Sequence, residues 1–218
     1  AEALKNHQCF EMISTSGNES NQSYAHVSAG GAVDESAAVR SDKREKSPDI
    51  KTYQTALECY DKGKYASSAM LLERLMENID TCKSTFLMAP EAMILLARAH
   101  ANLGRIQNAR QWCDRAIASE KLNPEIHFFR AAVLQSAGDI PEAIQSLKQA
   151  LFLDPDFVMA HFMMGLLNKS PAGEKSLQNA LMLLKNRPHD DILPFSEGMT
   201  AARLSETISG MMQKKGQA

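Results

Sequence analysis

Apolar and polar positions along this chain repeat with one fixed period. Ile94, Phe128 and Phe162 follow each other at 34-residue intervals, and so do Ala97, Ala131 and Gly165. Pro90, Gly104, Ala109 and Ala116 recur at the same offset as Pro124, Gly138, Ala143 and Ala150. Between these markers the apolar residues fall at helical spacing, as in Ala69, Leu72, Leu75, Met76 and Ile79. A period of 34 with that patterning describes a helix–turn–helix unit that cannot bury its apolar face alone, so the units must stack. The pattern predicts an all-α solenoid of about four helical hairpins.

Turn and cap residues place the hairpins. The first is expected over 49–62 and 64–79, turning at Gly63, after the start signal Ser47-Pro48-Asp49. The second is expected over 90–103 and 106–120, turning at Gly104-Arg105, and the third over 124–137 and 140–153, turning at Gly138-Asp139. The fourth opens after Asp154-Pro155-Asp156 and covers 157–168 and 172–186. Two intervals break the period. Gly63 to Gly104 spans 41 residues, so 80–88 is expected to be an inserted loop, which costs little chain entropy. Gly165 to Ala180 spans 15 residues where Ala131 to Ala150 spans 19, so about one helical turn is missing from the fourth hairpin.

A Pro-bounded loop at 187–195 precedes a last helix, expected over 197–213 with Met199, Leu204, Ile208 and Met211 on one face. The end of a solenoid needs a polar outer face, so this helix is read as a cap. Residues 1–13, with Leu4, Phe10, Met12 and Ile13, are read as the remnant of a preceding domain. Residues 14–48 are rich in Ser, Asn, Gly, Ala and charge, and are expected to form a largely disordered, flexible linker. The array proper is assigned to 49–190, and the capping helix and tail to 191–218. The chain begins without Met, and a piece of a longer polypeptide is expected.

Composition narrows the function. The net charge of −2 and pI near 6.3 give no field that would gather nucleic acid or an anionic membrane surface. No run of apolar residues is long enough to span a bilayer, so no membrane insertion is expected. Aromatics make up only 6% while Met reaches 12 residues, most of them in helical patterns where Met fills irregular gaps. Cys9, Cys59, Cys82 and Cys113 are scattered, without a C-x-x-C pair or a neighbouring His at metal spacing. They are read as reduced thiols, which suits a cytoplasmic protein.

Candidate chemistry is sparse. His127 and His161 lie one repeat apart, about 10 Å in a helical stack, too far for one metal ion. His189-Asp190-Asp191 is read as loop capping, and Tyr53, Tyr60 and Tyr65 as hairpin packing. No G-x-S-x-G, Walker loop or H-E-x-x-H occurs. No cofactor, metal or catalytic residue is therefore expected, and binding is favoured over chemistry.

The small residues Ala97, Ala131 and Gly165 at the helix crossings, Ala109, Ala143, Ala116 and Ala150 in the second helices, and Pro155 after the third unit resemble the tetratricopeptide (TPR) repeat over 49–190. The usual Trp and Tyr positions carry Met93, His127 and His161, and His100, Leu134 and Asn168. A narrower resemblance lies at the C-terminus. Glu197-Gly198-Met199-Thr200-Ala201-Ala202-Arg203-Leu204 is similar to the segment that closes the TPR extension of chemotaxis-type (CheR-like) protein-glutamate methyltransferases. Ala1-Glu2, Cys9-Phe10-Glu11-Met12 and Tyr24 also resemble the closing strands of that methyltransferase domain. The resemblance implies a regulatory region of a chemoreceptor glutamate O-methyltransferase. The family's S-adenosylmethionine loop has no counterpart here, so no catalytic role is carried over.

In a TPR array the first helix of each hairpin lines an inner groove. Ile94, Phe128 and Phe162 repeat on one face there, flanked by Glu91, Arg98, Asn102, Glu125, Gln135 and Lys169. Two readings stand beside each other. The apolar column packs adjacent hairpins, or part of it is exposed and takes a protein or peptide partner, a chemosensory component by the narrower resemblance. Tyr53 and Leu57 occupy the positions where chaperone-binding arrays carry Lys and Asn, which argues against that class. A general assembly scaffold unrelated to chemotaxis is the alternative function.

Overall fold

The computed structural model describes residues 48–82, 89–196 and 198–215. The readings of 1–13 as a domain remnant and 14–47 as a linker lie outside these residues, as do Cys9, Tyr24, Glu197 and most of the expected inserted loop. Among the described residues the elements run α1 (Pro48–Asp61), α2 (Tyr65–Cys82), α3 (Ala89–Asn102), α4 (Ile106–Ser119), α5 (Pro124–Ser136), α6 (Ile140–Leu153), α7 (Val158–Leu167), α8 (Pro171–Leu184) and α9 (Ala201–Lys215). Each odd-numbered helix from α1 to α7 packs on its successor, and each pair packs on the next pair. First helices also touch across hairpins, α1 on α3 and α3 on α5, and α9 lies on α8. This is the stacked all-α solenoid that the 34-residue period requires.

Local chemistry sets the ends of the helices. Gly63, Gly104 and Gly138 sit just past α1, α3 and α5 with φ of 71°, 71° and 81°. The residue after each glycine closes the helix end: Lys64, Arg105 and Asp139 donate their N–H to the carbonyls of Cys59, His100 and Leu134 at 2.8, 2.9 and 2.9 Å. That left-handed closure reverses the chain within a few residues and favours a residue without Cβ. Asn123, Asp139 and Ser170 cap α5, α6 and α8 through side-chain oxygens, each followed by a proline in the first turn.

Two departures from the expected spans have physical causes, and the expected missing turn is placed in α7. Helix α2 continues to Cys82 rather than ending at 79, so part of the insertion is helical. Asp80 in that added turn accepts a hydrogen bond from Arg115 Nη2 on α4, at 2.6 Å from Oδ2. Helix α7 has only 10 residues, which locates the missing turn in the first helix of the fourth hairpin. The last helix starts at Ala201, not at 197. Gly198, with φ of 76°, interrupts helical geometry, and Ile192 bridges Thr200 to close a turn. Within it Ser196 Oγ donates to the Leu193 carbonyl at 2.6 Å and accepts from the Met199 N–H at 3.1 Å. Thr200 Oγ1 then accepts the N–H of Arg203 and so starts α9.

The core follows the stack. One cluster runs from α1 to Ile126 of α5, a smaller one joins α3 to α5 around Cys113, and a third runs from α5 to α9. Burial pushes the Cys113 thiol up to about 12, so it packs as a small hydrophobe. The crossing residues Ala97, Ala131 and Gly165 are buried. In the shortened fourth hairpin the approach is closest. A Cβ on Gly165 would meet the Leu177 side chain at 2.3 Å, and one on Gly173 would meet the Asn168 carbonyl oxygen at 1.8 Å.

An ionic cluster fastens the second hairpin to the third. Arg130 on α5 donates from Nε to Asp114 Oδ1 at 2.6 Å, from Nη1 to Ser146 Oγ at 2.7 Å and from Nη2 to Glu142 Oε1 at 2.7 Å. Arg110 on α4 takes the other Glu142 oxygen at 2.7 Å. The hydrogen bond from Arg130 holds the Glu142 carboxyl below its usual range, with the nearby guanidinium charges adding to it.

Three predictions follow from the packing and the ion cluster. Gly173→Ala forces a backbone clash and is expected to cost more than about 2 kcal/mol in denaturant unfolding. Gly210→Ala on α9 meets nothing within 4 Å and is expected to stabilise by up to about 1 kcal/mol. A carboxyl held low in the folded state adds stability above its unfolded pKa, and the gain fades as pH falls through the folded value. Wild type is therefore expected to exceed Glu142→Gln in melting temperature at pH 7, with the gap closing as pH drops below the ordinary 4.5.

Candidate functional site

The first helices build one wall, and its chemistry changes along the stack. Near α1 and α3 it is aromatic and polar. The Tyr60 ring lies edge-on to Tyr65 at 5.1 Å, and Arg98 of α3 sets its guanidinium over Tyr60 at 4.9 Å. The same guanidinium lies 5.4 Å from the Phe129 ring of α5, so one cation spans three hairpins. Asn102 donates from Nδ2 to the Tyr60 hydroxyl at 2.9 Å and to the Arg98 carbonyl at 3.0 Å. Burial and then the charge of Glu91 push the Tyr53 hydroxyl up to about 12, so it remains a neutral donor at physiological pH. Asp61 is raised by burial and drawn back by Arg98.

The expected groove residues separate into two groups. Glu91, Ile94, Arg98 and Asn102 come together on α3, with Glu91 exposed and the other three partly covered. Glu125 is half-exposed at the start of α5. Phe128 is 0% exposed, and Phe162 and Gln135 are also buried. For the two aromatics of the column the surroundings are those of packing: Phe128, for one, meets Phe157 at 4.9 Å and Phe195 at 6.0 Å, centroid to centroid. Lys169 stands exposed in the turn after α7, beyond the end of the short helix.

Three wall residues were outside the expected set. Tyr60 packs within its hairpin, buried, and its hydroxyl also accepts from Asn102. Phe129 adjoins Phe128 and has no aromatic counterpart one period away, where Leu95 and Met163 stand. Phe195 lies in a loop without periodicity, and only coordinates bring it to α5.

The two histidines repeat one another. His127 Nε2 donates to the Lys121 carbonyl at 3.1 Å, and His161 Nε2 donates to the Pro155 carbonyl at 2.8 Å. Each bonds a carbonyl six residues earlier and ties an inter-hairpin loop to the helix that follows. Buried His100 has Nε2 3.2 Å from Glu73 Oε1, out of line for a hydrogen bond, and burial holds its pKa below the ordinary value against the pull of Glu73. Among the described residues no group of three or more His, Cys, Asp or Glu could hold a metal ion. No described helix is long and apolar enough to cross a membrane.

Residues 53–125 match the tetratricopeptide repeat family. The fold is that of a tetratricopeptide repeat array. Solved structures of MamA proteins are similar at the level of the fold. The form spanning residue 41 to the end from Desulfovibrio magneticus RS-1 superposes with a TM-score of 0.56 at 13% identity, covering 66% of this chain and 79% of that one. The "MamA RS-1 ArsTM double mutant" gives 0.57 at 12%, covering 65% and 78%. A further MamA crystal structure gives 0.55 at 18%, covering 63% and 74%. No curated protein sequence matches the chain. TPR arrays are frames for protein–protein interaction, because stacking leaves an extended concave face free.

The burial of Phe128 makes it a test of the array itself. Phe128→Ala is expected to cost about 3–5 kcal/mol in chemical unfolding. Phe152→Ala, at a side chain 81% exposed on α6, is expected to stay within about 0.5 kcal/mol.

Proposed function

We propose that this chain is a protein-binding module whose inner wall at the first two hairpins receives a partner, and that it is the regulatory TPR region of a chemoreceptor glutamate O-methyltransferase. The observation that carries the binding reading is the half-buried pair Arg98 and Asn102, held from behind by the buried Tyr60 and rimmed by the exposed carboxylate of Glu91. Its side chains are fixed by one another before a partner arrives, which lowers the entropy lost on binding. Arg is among the residue types that carry interface energy.

The finer assignment is supported by the residues that close the array. In the segment similar to the methyltransferase extension, Gly198 turns the chain, Thr200 caps α9 and Leu204 is fully buried. That closing task is the support for the finer reading. The chain would recruit the attached enzyme to a signalling partner, or restrict its access, and perform no methyl transfer itself. A cytoplasmic setting belongs to this reading.

The test uses the cytoplasmic signalling region of a chemoreceptor as the immobilised partner. The chain is expected to bind, and Glu91→Lys combined with Asn102→Ala is expected to weaken binding at least tenfold, about 1.4 kcal/mol, while the variant stays folded by circular dichroism with a melting temperature lowered by the lost Asn102–Tyr60 hydrogen bond. Equal binding by the folded double variant would remove the wall from the proposal. An upstream reading frame that encodes a methyltransferase domain is expected. A genuine start codon near Ala1 would instead favour a general assembly scaffold, and methyl transfer by the isolated chain would sink the non-catalytic reading.

A further inference from the structure

The inner wall is not empty at its C-terminal end. The turn between α8 and α9 reaches back past the fourth hairpin and sets Phe195 against α5. The Phe195 ring lies 6.0 Å from Phe128, 5.5 Å and edge-on from Phe129, and 5.6 Å from Phe157. Leu193 is buried beneath it. The turn is closed on itself: Leu193 N–H donates to the Met199 carbonyl at 3.0 Å, Ala201 N–H to the Asp191 carbonyl at 2.9 Å, and Ile192 bridges Thr200. It is a preformed Leu-Pro-Phe segment laid on the wall, with exposed residues 185–190 leading into it.

Phe195 pays for this position with its backbone. Its φ is 62°, and among the described residues it is the one non-glycine residue with positive φ. A side chain with a Cβ adopts that conformation only where its surroundings hold it there. The aromatic contacts supply the hold, and the strain subtracts from what they give. A segment that offered the same ring from relaxed extended backbone would therefore gain the contacts without the strain.

We propose that Phe128, Phe129 and Phe157 form an aromatic-anchor pocket for an extended Leu-Pro-Phe-like segment of a partner protein, and that the Ile192–Ser196 turn is its resident competitor. This deepens the groove reading given above and rests on it. The pocket joins the N-terminal part of the wall through Phe129, which carries both the Arg98 guanidinium and the Phe195 ring. A partner seated on Arg98 and Asn102 would thus run into the pocket, and its aromatic side chain would displace the turn. Displacement frees the turn ahead of α9, which couples partner binding to the end of the array.

The test is binding in trans of a labelled synthetic peptide that copies residues 188–199, beside a copy in which its Phe is Ala. Full-length Phe195→Ala is expected to bind the first peptide at least tenfold more tightly than wild type does, and to ignore the second. Phe195→Gly, which relaxes the positive φ, carries the same expectation. Equal binding to wild type and variant, or none to a folded variant, overturns the proposal. If both variants are unfolded, the ring is a fixed part of the core and the proposal also fails. Dimerisation of a peptide-free variant on gel filtration would overturn it in favour of a second copy of this chain. Because the Glu91 and Asn102 substitutions leave Phe195 untouched, loss of the anchor pocket and loss of the groove reading give different results.

Discussion

Burial between neighbouring hairpins is the interaction on which everything else depends. A lone hairpin would leave one apolar flank of its first helix in water, because its own second helix can cover only the other. The second helix of the preceding hairpin supplies the missing cover, as α2 does for α3 and α4 for α5. Close approach requires small residues where helices cross, and Ala97, Ala131 and Gly165 meet that need. The resulting core is linear, three consecutive clusters rather than one centre, so each hairpin is stabilised chiefly by its neighbours.

Linear stacking separates two tasks that a globular core would merge. Crossing and packing positions must be apolar and small, whereas the wall formed by first helices is free to vary. Here that wall has an aromatic and cationic half, held by Arg98 between Tyr60 and Phe129, and an aromatic half covered by the chain itself. Polar connections between hairpins lie elsewhere: Arg130 joins α4, α5 and α6, and Asp80 joins α2 to α4. These fix the register between hairpins without using the inner wall.

A solenoid must also end. Helix α9 covers the outward flank of α8, with Leu204 and Ile208 in the core. The turn before it does more than connect, since Phe195 closes the aromatic cluster of the preceding hairpin. One segment therefore both finishes the array and occupies part of its inner wall. The strained φ of Phe195 marks the point at which those two demands meet.

The sequence by itself determined the hairpin count, the glycine turns and the small crossing residues, because these depend on spacing and on local backbone chemistry. It also located the deletion in the fourth hairpin, which appears as the shortened α7. It left two roles open for Ile94, Phe128 and Phe162, since a 34-residue period fixes a residue's angular position on its helix but not what lies across from it. Phe128 is buried because Phe157 and Phe195 cover it, and Phe195 belongs to a loop with no period to read. The pairing of Arg98 with Tyr60 and Phe129, and the delayed start of α9 behind Gly198 and Thr200, were likewise decided by contacts between distant residues. Periodicity encodes the frame because the frame is local and repeated; the contacts along the inner wall are neither, so only the folded arrangement defines them.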